Sequence, residues 1–239
     1  MNSHIRIRTL ALTLWLAGPA LASADIVTTS WSGGFANGGL IPDNNAAGWS
    51  DARTVDTAGG SISSLSVTIN LSGGWNGDLY AYLAHDTGYT VLLNRVGRGP
   101  GNGPGYDDSG MNVVFSAAGI LGDIHGYGGG SVPVGSYMPD GRAISPLATV
   151  EDFDTAGRSA LLSSFTGLNP NGSWTLFVAD VSGGERSTVT SWGLNIDVAS
   201  VPEPASLVEG AVAVLFLGGA IGFYRLKGLP RIMRSKDRA

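Results

Sequence analysis

No cysteine occurs among the 239 residues. Disulfides, thiolate nucleophiles and cysteine-ligated metals are therefore excluded, and an exported domain of this chain must be held by its core alone. Lysine is missing from residues 25–201, where six arginines stand against 16 acids and the net charge is −10. The whole-chain value of −5 hides this, because both termini are basic. A segment so acidic does not bind nucleic acid through phosphate neutralisation, which needs clustered Lys and Arg. Histidine is scarce as well: only His85 and His125 fall in this region, so any Ser-His-Asp triad must use one of them. There is no Gly-x-Ser-x-Gly elbow and no Gly-Thr-Ser segment. The glycines of residues 97–105 precede no predicted helix and lack a Gly-Lys-Ser/Thr ending, so they form no phosphate-cradling loop. No spacing fixes two acids at the separation glycoside hydrolysis requires.

Strong helical periodicity is also lacking between the termini, and period-two alternation takes its place. Leu65, Val67, Ile69 and Leu71 share one face, with Ser66, Thr68 and Asn70 on the other. Leu79, Ala81 and Leu83 alternate with Tyr80 and Tyr82, and the pattern repeats at Met111, Val113 and Phe115 and at Trp174, Leu176 and Val178. A last run puts Thr190, Trp192, Leu194, Ile196 and Val198 on one side. Gly, Asn, Asp, Ser or Pro bounds each run, which predicts short strands in an antiparallel β-sandwich. Ser72-Gly73-Gly74 and Ser182-Gly183-Gly184 are predicted turns needing positive φ. Two Gly/Pro-rich stretches, 97–110 and 119–141, are too long for hairpin connections, a length usual in functional or mobile loops. Residues 159–165 are predicted to form one helical turn. The 177 residues from 25 to 201 suffice for one domain with its own core.

The two ends carry an address. Arg6 and Arg8 precede an apolar run over residues 10–21, and Ala22-Ser23-Ala24 reads as a small-x-small cleavage site. Residues 1–24 thus have the form of a secretory signal peptide cut by signal peptidase between Ala24 and Asp25. At the other end come Pro202-Glu203-Pro204, an apolar run over residues 207–224, and a tail with six basic residues and one acid. That run has the length of a single transmembrane helix, and the basic tail would stay cytoplasmic. The segment 201–239 resembles the PEP-CTERM sorting signal of Gram-negative, exopolysaccharide-producing bacteria. The resemblance implies recognition of Pro202, Glu203 and Pro204 by an exosortase, which removes the helix; a plain anchor would leave a permanent single span.

Three further segments carry a second resemblance: Ile41-Pro42-Asp43-Asn44-Asn45; residues 62–83 with Trp75-Asn76-Gly77-Asp78; and Asn171-Gly172-Ser173-Trp174-Thr175-Leu176-Phe177-Val178-Ala179-Asp180 followed by Ser191-Trp192-Gly193-Leu194. Together they are similar to the P (P/Homo B) domain of proprotein convertases and bacterial subtilisin-like proteases. This assigns residues 25–200 to that domain and implies an all-β, jelly-roll-like antiparallel β-sandwich beside a catalytic domain that this sequence does not contain. Asp123-Ile124-His125-Gly126 resembles a catalytic His-Gly pair only weakly.

Candidate sites follow from the acids and aromatics. Asp43, Asp78, Asp107, Asp108 and Asp180 lie in predicted turns or loops, which suits Ca2+ with its six to eight oxygen ligands. The P-domain resemblance allows calcium too, since some bacterial relatives bind it. Turn acids also commonly accept backbone N–H bonds, the competing role for Asp78 and Asp180. The cluster Glu151-Asp152-Phe153-Asp154 lacks EF-hand spacing. Trp31, Trp49, Trp75, Tyr89, Tyr106, Tyr127 and Tyr137 lie near Gly-rich loops and are candidates to stack on sugars. The expectation is a non-enzymatic surface or extracellular-matrix protein. The alternatives are a P domain assisting a subtilisin-like serine endopeptidase in trans, or a carbohydrate-binding module for exopolysaccharide.

Overall fold

The computed structural model of the protein describes residues 24–199. The expected signal peptide and C-terminal sorting segment lie outside them. Among the described residues no helix is long and apolar enough to cross a membrane.

Nine strands build two sheets. They are β1 (Ala24–Trp31), β2 (Asn45–Val55), β3 (Ser61–Gly73), β4 (Leu79–His85), β5 (Gly88–Asn94), β6 (Met111–Ser116), β7 (Val134–Tyr137), β8 (Gly172–Asp180) and β9 (Ser187–Ala199). One sheet has the order β1-β9-β3-β6-β7 and the other β2-β8-β4-β5. All pairings are antiparallel except β6 with β7. The structure is a two-sheet β-sandwich, as alternating runs separated by turn residues require.

The core lies between the inner faces. Leu65, Val67, Ile69 and Leu71 of β3 are buried, as are Leu79, Ala81 and Leu83 of β4 and Met111, Val113 and Phe115 of β6. Trp174 and Trp192 are both fully buried, and each removes about 150–250 Å² from water. Trp174 stacks on the His85 ring at 4.0 Å, and Trp192 packs on Trp31 at 4.4 Å. Both indole N–H groups have buried acceptors: Trp174 Nε1 donates to the Pro170 carbonyl at 2.9 Å and Trp192 Nε1 to Asp51 Oδ2 at 2.7 Å. Gly73 and Gly74 take φ of 72° and 63° in the predicted turn.

Three details differ from the expectations. The β3–β9 register shifts between Asn70 and Leu71, so Val189 enters the core while Thr190 turns outward and its hydroxyl donates to the Asn70 carbonyl. A β-bulge inverts the alternation there, and no residue at 189–191 announces it. Second, the stretch 119–141 is not all loop, because it contains β7. Third, a short helix, α1 (Val150–Thr155), arises where no periodicity marked one. It is started by the Asp152 carboxylate, which accepts the backbone N–H and the hydroxyl of Thr149. The predicted turn at 159–165 exists as a 3-10 turn at Leu162–Phe165.

Candidate functional site

Two buried polar clusters stand apart from the apolar core. The first lies where β4 begins and β8 ends. Leu79 and Asp180 are cross-strand partners, so Asp78 and Asp180 sit side by side at one end of the sheet. The Asn76–Asp78 turn is fixed by the 97–110 loop. Asn76 N–H donates to the Asp108 carbonyl at 3.0 Å and Gly77 N–H to the Tyr106 carbonyl at 2.7 Å. A Cβ on Gly77 would stand 2.7 Å from backbone atoms of Gly105 and Tyr106, so only glycine permits this approach.

Asp78 and Asp180 are 4% and 0% exposed. One oxygen of each has a partner: Asp78 Oδ1 accepts from Arg95 Nη2 at 3.4 Å, and Asp180 Oδ1 accepts the Ser182 N–H at 3.2 Å. Asp78 Oδ2 and Asp180 Oδ2 are buried without a hydrogen-bond partner. Asp43, on the loop before β2, accepts the Gly184 N–H at 3.2 Å and adds negative charge near both. Burial raises the Asp180 carboxyl to about 6; the Asp78 and Asp43 charges push the same way, against the Ser182 and Asn44 N–H groups. Burial also raises Asp78, against the attraction of Arg95.

This cluster unites three of the five aspartates proposed as calcium ligands, Asp43, Asp78 and Asp180, and leaves out Asp107 and Asp108. Asp108 Oδ2 instead accepts the Tyr127 hydroxyl and the Gly130 N–H, the latter at 2.9 Å, and so pins one long loop to the other. Among the described residues no group of three His, Cys, Asp or Glu side chains is placed to hold a metal ion. The set Asp43, Asp78, Asp108, Asp180 therefore does not fit Ca2+ as a unit. The competing role for turn acids holds for Asp180, which caps its own turn through Ser182. The cluster readily holds a proton.

A pH dependence follows. The folded state holds a proton on Asp180 up to about pH 6, whereas the unfolded chain releases it near 3.8. Between those values the folded state binds more protons, so stability falls as pH rises, by about 2–3 kcal/mol, and then levels off. Asp180→Asn should remove that loss. Thermal melts should show the variant more stable than wild type at pH 7.5 and nearly equal to it at pH 4. Equal stability at both values would refute the assignment.

The second cluster gathers around Asp140, which is fully buried. Its Oδ2 accepts from His125 Nδ1 at 2.7 Å, and its Oδ1 accepts the Arg142 N–H at 3.2 Å and Arg142 Nη1 at 3.3 Å. Arg142 also reaches Asp123 Oδ2 at 2.8 Å, and Arg158 Nε donates to the Asp140 carbonyl at 2.9 Å. The other His125 nitrogen, Nε2, faces the Arg98 carbonyl at 2.9 Å. Acceptors on both sides favour the protonated ring, in which both nitrogens donate. Burial opposes that charge, but the Asp140 carboxylate and the Arg98 carbonyl outweigh it and raise the His125 pKa. The His85 nitrogens are likewise taken, by the carbonyls of Ser173 at 3.0 Å and Asn169 at 2.7 Å. Neither histidine has a nitrogen directed at a hydroxyl nucleophile, so the weak His-Gly likeness at His125 corresponds to an ion pair that ties loops together.

No protein-family profile matches the chain. No curated protein matches it. Among solved structures it is similar to chains in a crystal structure of the serine protease of Aeromonas sobria and in another of that protease complexed with its chaperone, ORF2. Identities are 14% and 15% and TM-scores 0.41 and 0.43. Each match covers 76% of this chain and 28% of the other, so this chain spans under a third of the proteins it resembles.

The other sequence candidates are dispersed. Asp107 is exposed, and Asp152 serves α1. Of the aromatics expected to stack on sugars, Trp49 and Tyr137 are buried in the core. Trp31 packs on Trp192, and Tyr106 packs edge-on against Tyr127 at 4.8 Å. Trp75 is 38% exposed and lies over Gly184. Sequence reasoning missed Asp140, Arg95 and Arg142, whose partners are 15, 17 and 19 residues away and share no motif with them.

Proposed function

We propose that this chain is a non-enzymatic exported protein of the cell envelope, outer surface or extracellular matrix of a Gram-negative bacterium. In this reading a P/Homo B-like, jelly-roll sandwich is delivered by the N-terminal signal peptide and sorted through Pro202-Glu203-Pro204 by an exosortase, after a single-pass membrane intermediate. The observation that carries it is the pairing of the domain's two ends. β1 starts at Ala24 opposite Ala199, the last residue of β9. The sandwich thus occupies the stretch between the two address segments, and cleavage between Ala24 and Asp25 would remove at most one strand residue. The jelly-roll reading is supported by the orders β1-β9-β3-β6-β7 and β2-β8-β4-β5, in which the chain crosses repeatedly between sheets. The reading without a Ser-His-Asp triad draws on the engagement of both described histidines, His85 and His125.

Fractionation of the native host with intact-mass analysis tests this. The expected product starts at Asp25, ends near the Pro-Glu-Pro motif and lies in the envelope or matrix fraction. An unprocessed chain in the cytoplasm would overturn the proposal.

A second reading, a P domain assisting a subtilisin-like serine endopeptidase in trans, draws on the Trp75-Asn76-Gly77-Asp78 segment. That turn is buried and locked to the 97–110 loop, which holds the exposed Trp75 in place at one end of the sandwich as the point of contact for a partner. Co-purification of an endopeptidase with the native chain would favour it.

A further inference from the structure

The outward face of the β2-β8-β4-β5 sheet carries a row of aromatic rings that the core does not use. Tyr82 and Phe177 are cross-strand partners, and their rings stack 4.7 Å apart at 17°. Tyr89, on the next strand, packs against Tyr82 at 5.2 Å, and its hydroxyl shares a 2.7 Å hydrogen bond with that of Tyr80. All four side chains are only partly buried. Phe177 leans across β2, where Gly48 makes room: a Cβ there would come within 2.7 Å of its ring. The rings are therefore held against one another before any ligand arrives.

Beside this row the sheet drops to small side chains. Ala52, Thr175 and Ala84 occupy the neighbouring rung, with Tyr89 at its end. The β5 side is walled by the chain around residues 140–164, which bonds to β5 at Val91 and Leu92 and to Tyr89 through Ser164. On the other side β2 is the edge strand among the described residues, with the 33–36 segment bonded to its Trp49 and Arg53 side chains.

The chemistry of the face selects its occupant. None of the outward side chains of these four strands is charged, although residues 25–201 carry −10. Uncharged aromatic faces beside small apolar side chains and hydroxyls match the C–H face and hydroxyl rim of a pyranose ring. They offer nothing to a phosphate, a uronate or a charged peptide. We propose that this shelf is a binding site for a neutral polysaccharide, with sugar rings packing against the Tyr82 and Tyr89 rings over the Ala52–Thr175–Ala84 floor. It differs from the loop aromatics the sequence suggested, sharing only Tyr89 with them, and it stands or falls independently of how the chain is exported.

The test is retention of the full chain on insoluble neutral β-glucans, cellulose and curdlan, with alginate and gelatin as comparison matrices. Wild type should be retained on at least one glucan and on neither comparison matrix. Tyr82→Leu should weaken retention about tenfold, the scale of one lost aromatic contact, while Tyr82→Phe keeps it. Should Tyr82→Leu fail to fold, Ala52→Glu decides the matter. It puts a charge on an exposed floor position, and it should abolish retention without changing the melting temperature. No retention on either glucan, equal retention on alginate or gelatin, or retention unaffected by Ala52→Glu would overturn the proposal.

Discussion

Replacing Asp140 with alanine is expected to destabilise the domain by about 3–5 kcal/mol, the cost of stripping one partner from a buried ion pair. Asp140 is fully buried and is the shared acceptor for the His125 ring and the Arg142 guanidinium, while its backbone carbonyl takes Arg158. Without the carboxylate, His125 sheds its proton or stays charged without compensation, and Arg142 keeps the Asp123 carboxylate and the Asp140 backbone carbonyl. The damage spreads because the cluster spans several segments. His125 stacks on Phe153 of α1 at 6.0 Å and holds the Arg98 carbonyl of the first long loop, and Asp140 N–H bonds to the Leu92 carbonyl of β5.

The same pair sets a second pH dependence. Its folded-state pKa is raised, so the His125 contribution is full below 6.5 and is lost as pH rises through the higher folded value. Urea melts should therefore show a larger Asp140→Ala penalty at pH 5.5 than at pH 9. A penalty under about 1 kcal/mol at pH 5.5 would mean that the cluster is a solvated surface network.

Trp174→Ala should cost a similar 3–5 kcal/mol, the range for deleting a large buried aromatic. Trp174 sits near the start of β8, between β2 and β4, stacked on His85 at 4.0 Å and packed on Phe165 at 5.3 Å. Its loss removes the largest group from that region of the core and orphans the Pro170 carbonyl. It also frees one face of His85, whose nitrogens tie β4 to the Asn169 and Ser173 carbonyls. Trp174→Phe should recover about half of the loss, because it restores ring area but not the indole N–H. Denaturant midpoints of the two variants measure both effects. An alanine cost below about 1.5 kcal/mol would show that the neighbouring side chains collapse into the space.

Much of the fold was legible because local rules act strand by strand. The alternation at 65–71, 79–83, 111–115 and 174–178 named the inward residues, and burial of either face forces that phase. The phase failed at Thr190, where a bulge depends on the partner strand and leaves no local mark. β7 was hidden because Val134–Tyr137 is a four-residue strand inside a Gly-rich stretch and gains its ladder only from β6. Of the acids, the sequence flagged Asp43, Asp78 and Asp180 as turn residues. It held nothing to separate them from Asp108, whose partners are Tyr127 and Gly130.

What the sequence by itself determined was composition and pattern. It excluded cysteine chemistry, it placed an apolar run at each end, and it wrote a two-faced strand code between them. Those properties are local, readable from charge sums and period-two alternation. The tertiary structure decided which distant groups meet. It joined Asp78 to Asp180 across a strand pair, engaged His125 with Asp140 and Arg98, and laid Tyr80, Tyr82, Tyr89 and Phe177 side by side on an outer face. Those contacts follow from strand order and register, which are set by packing two whole sheets together, and no short window of sequence contains that information.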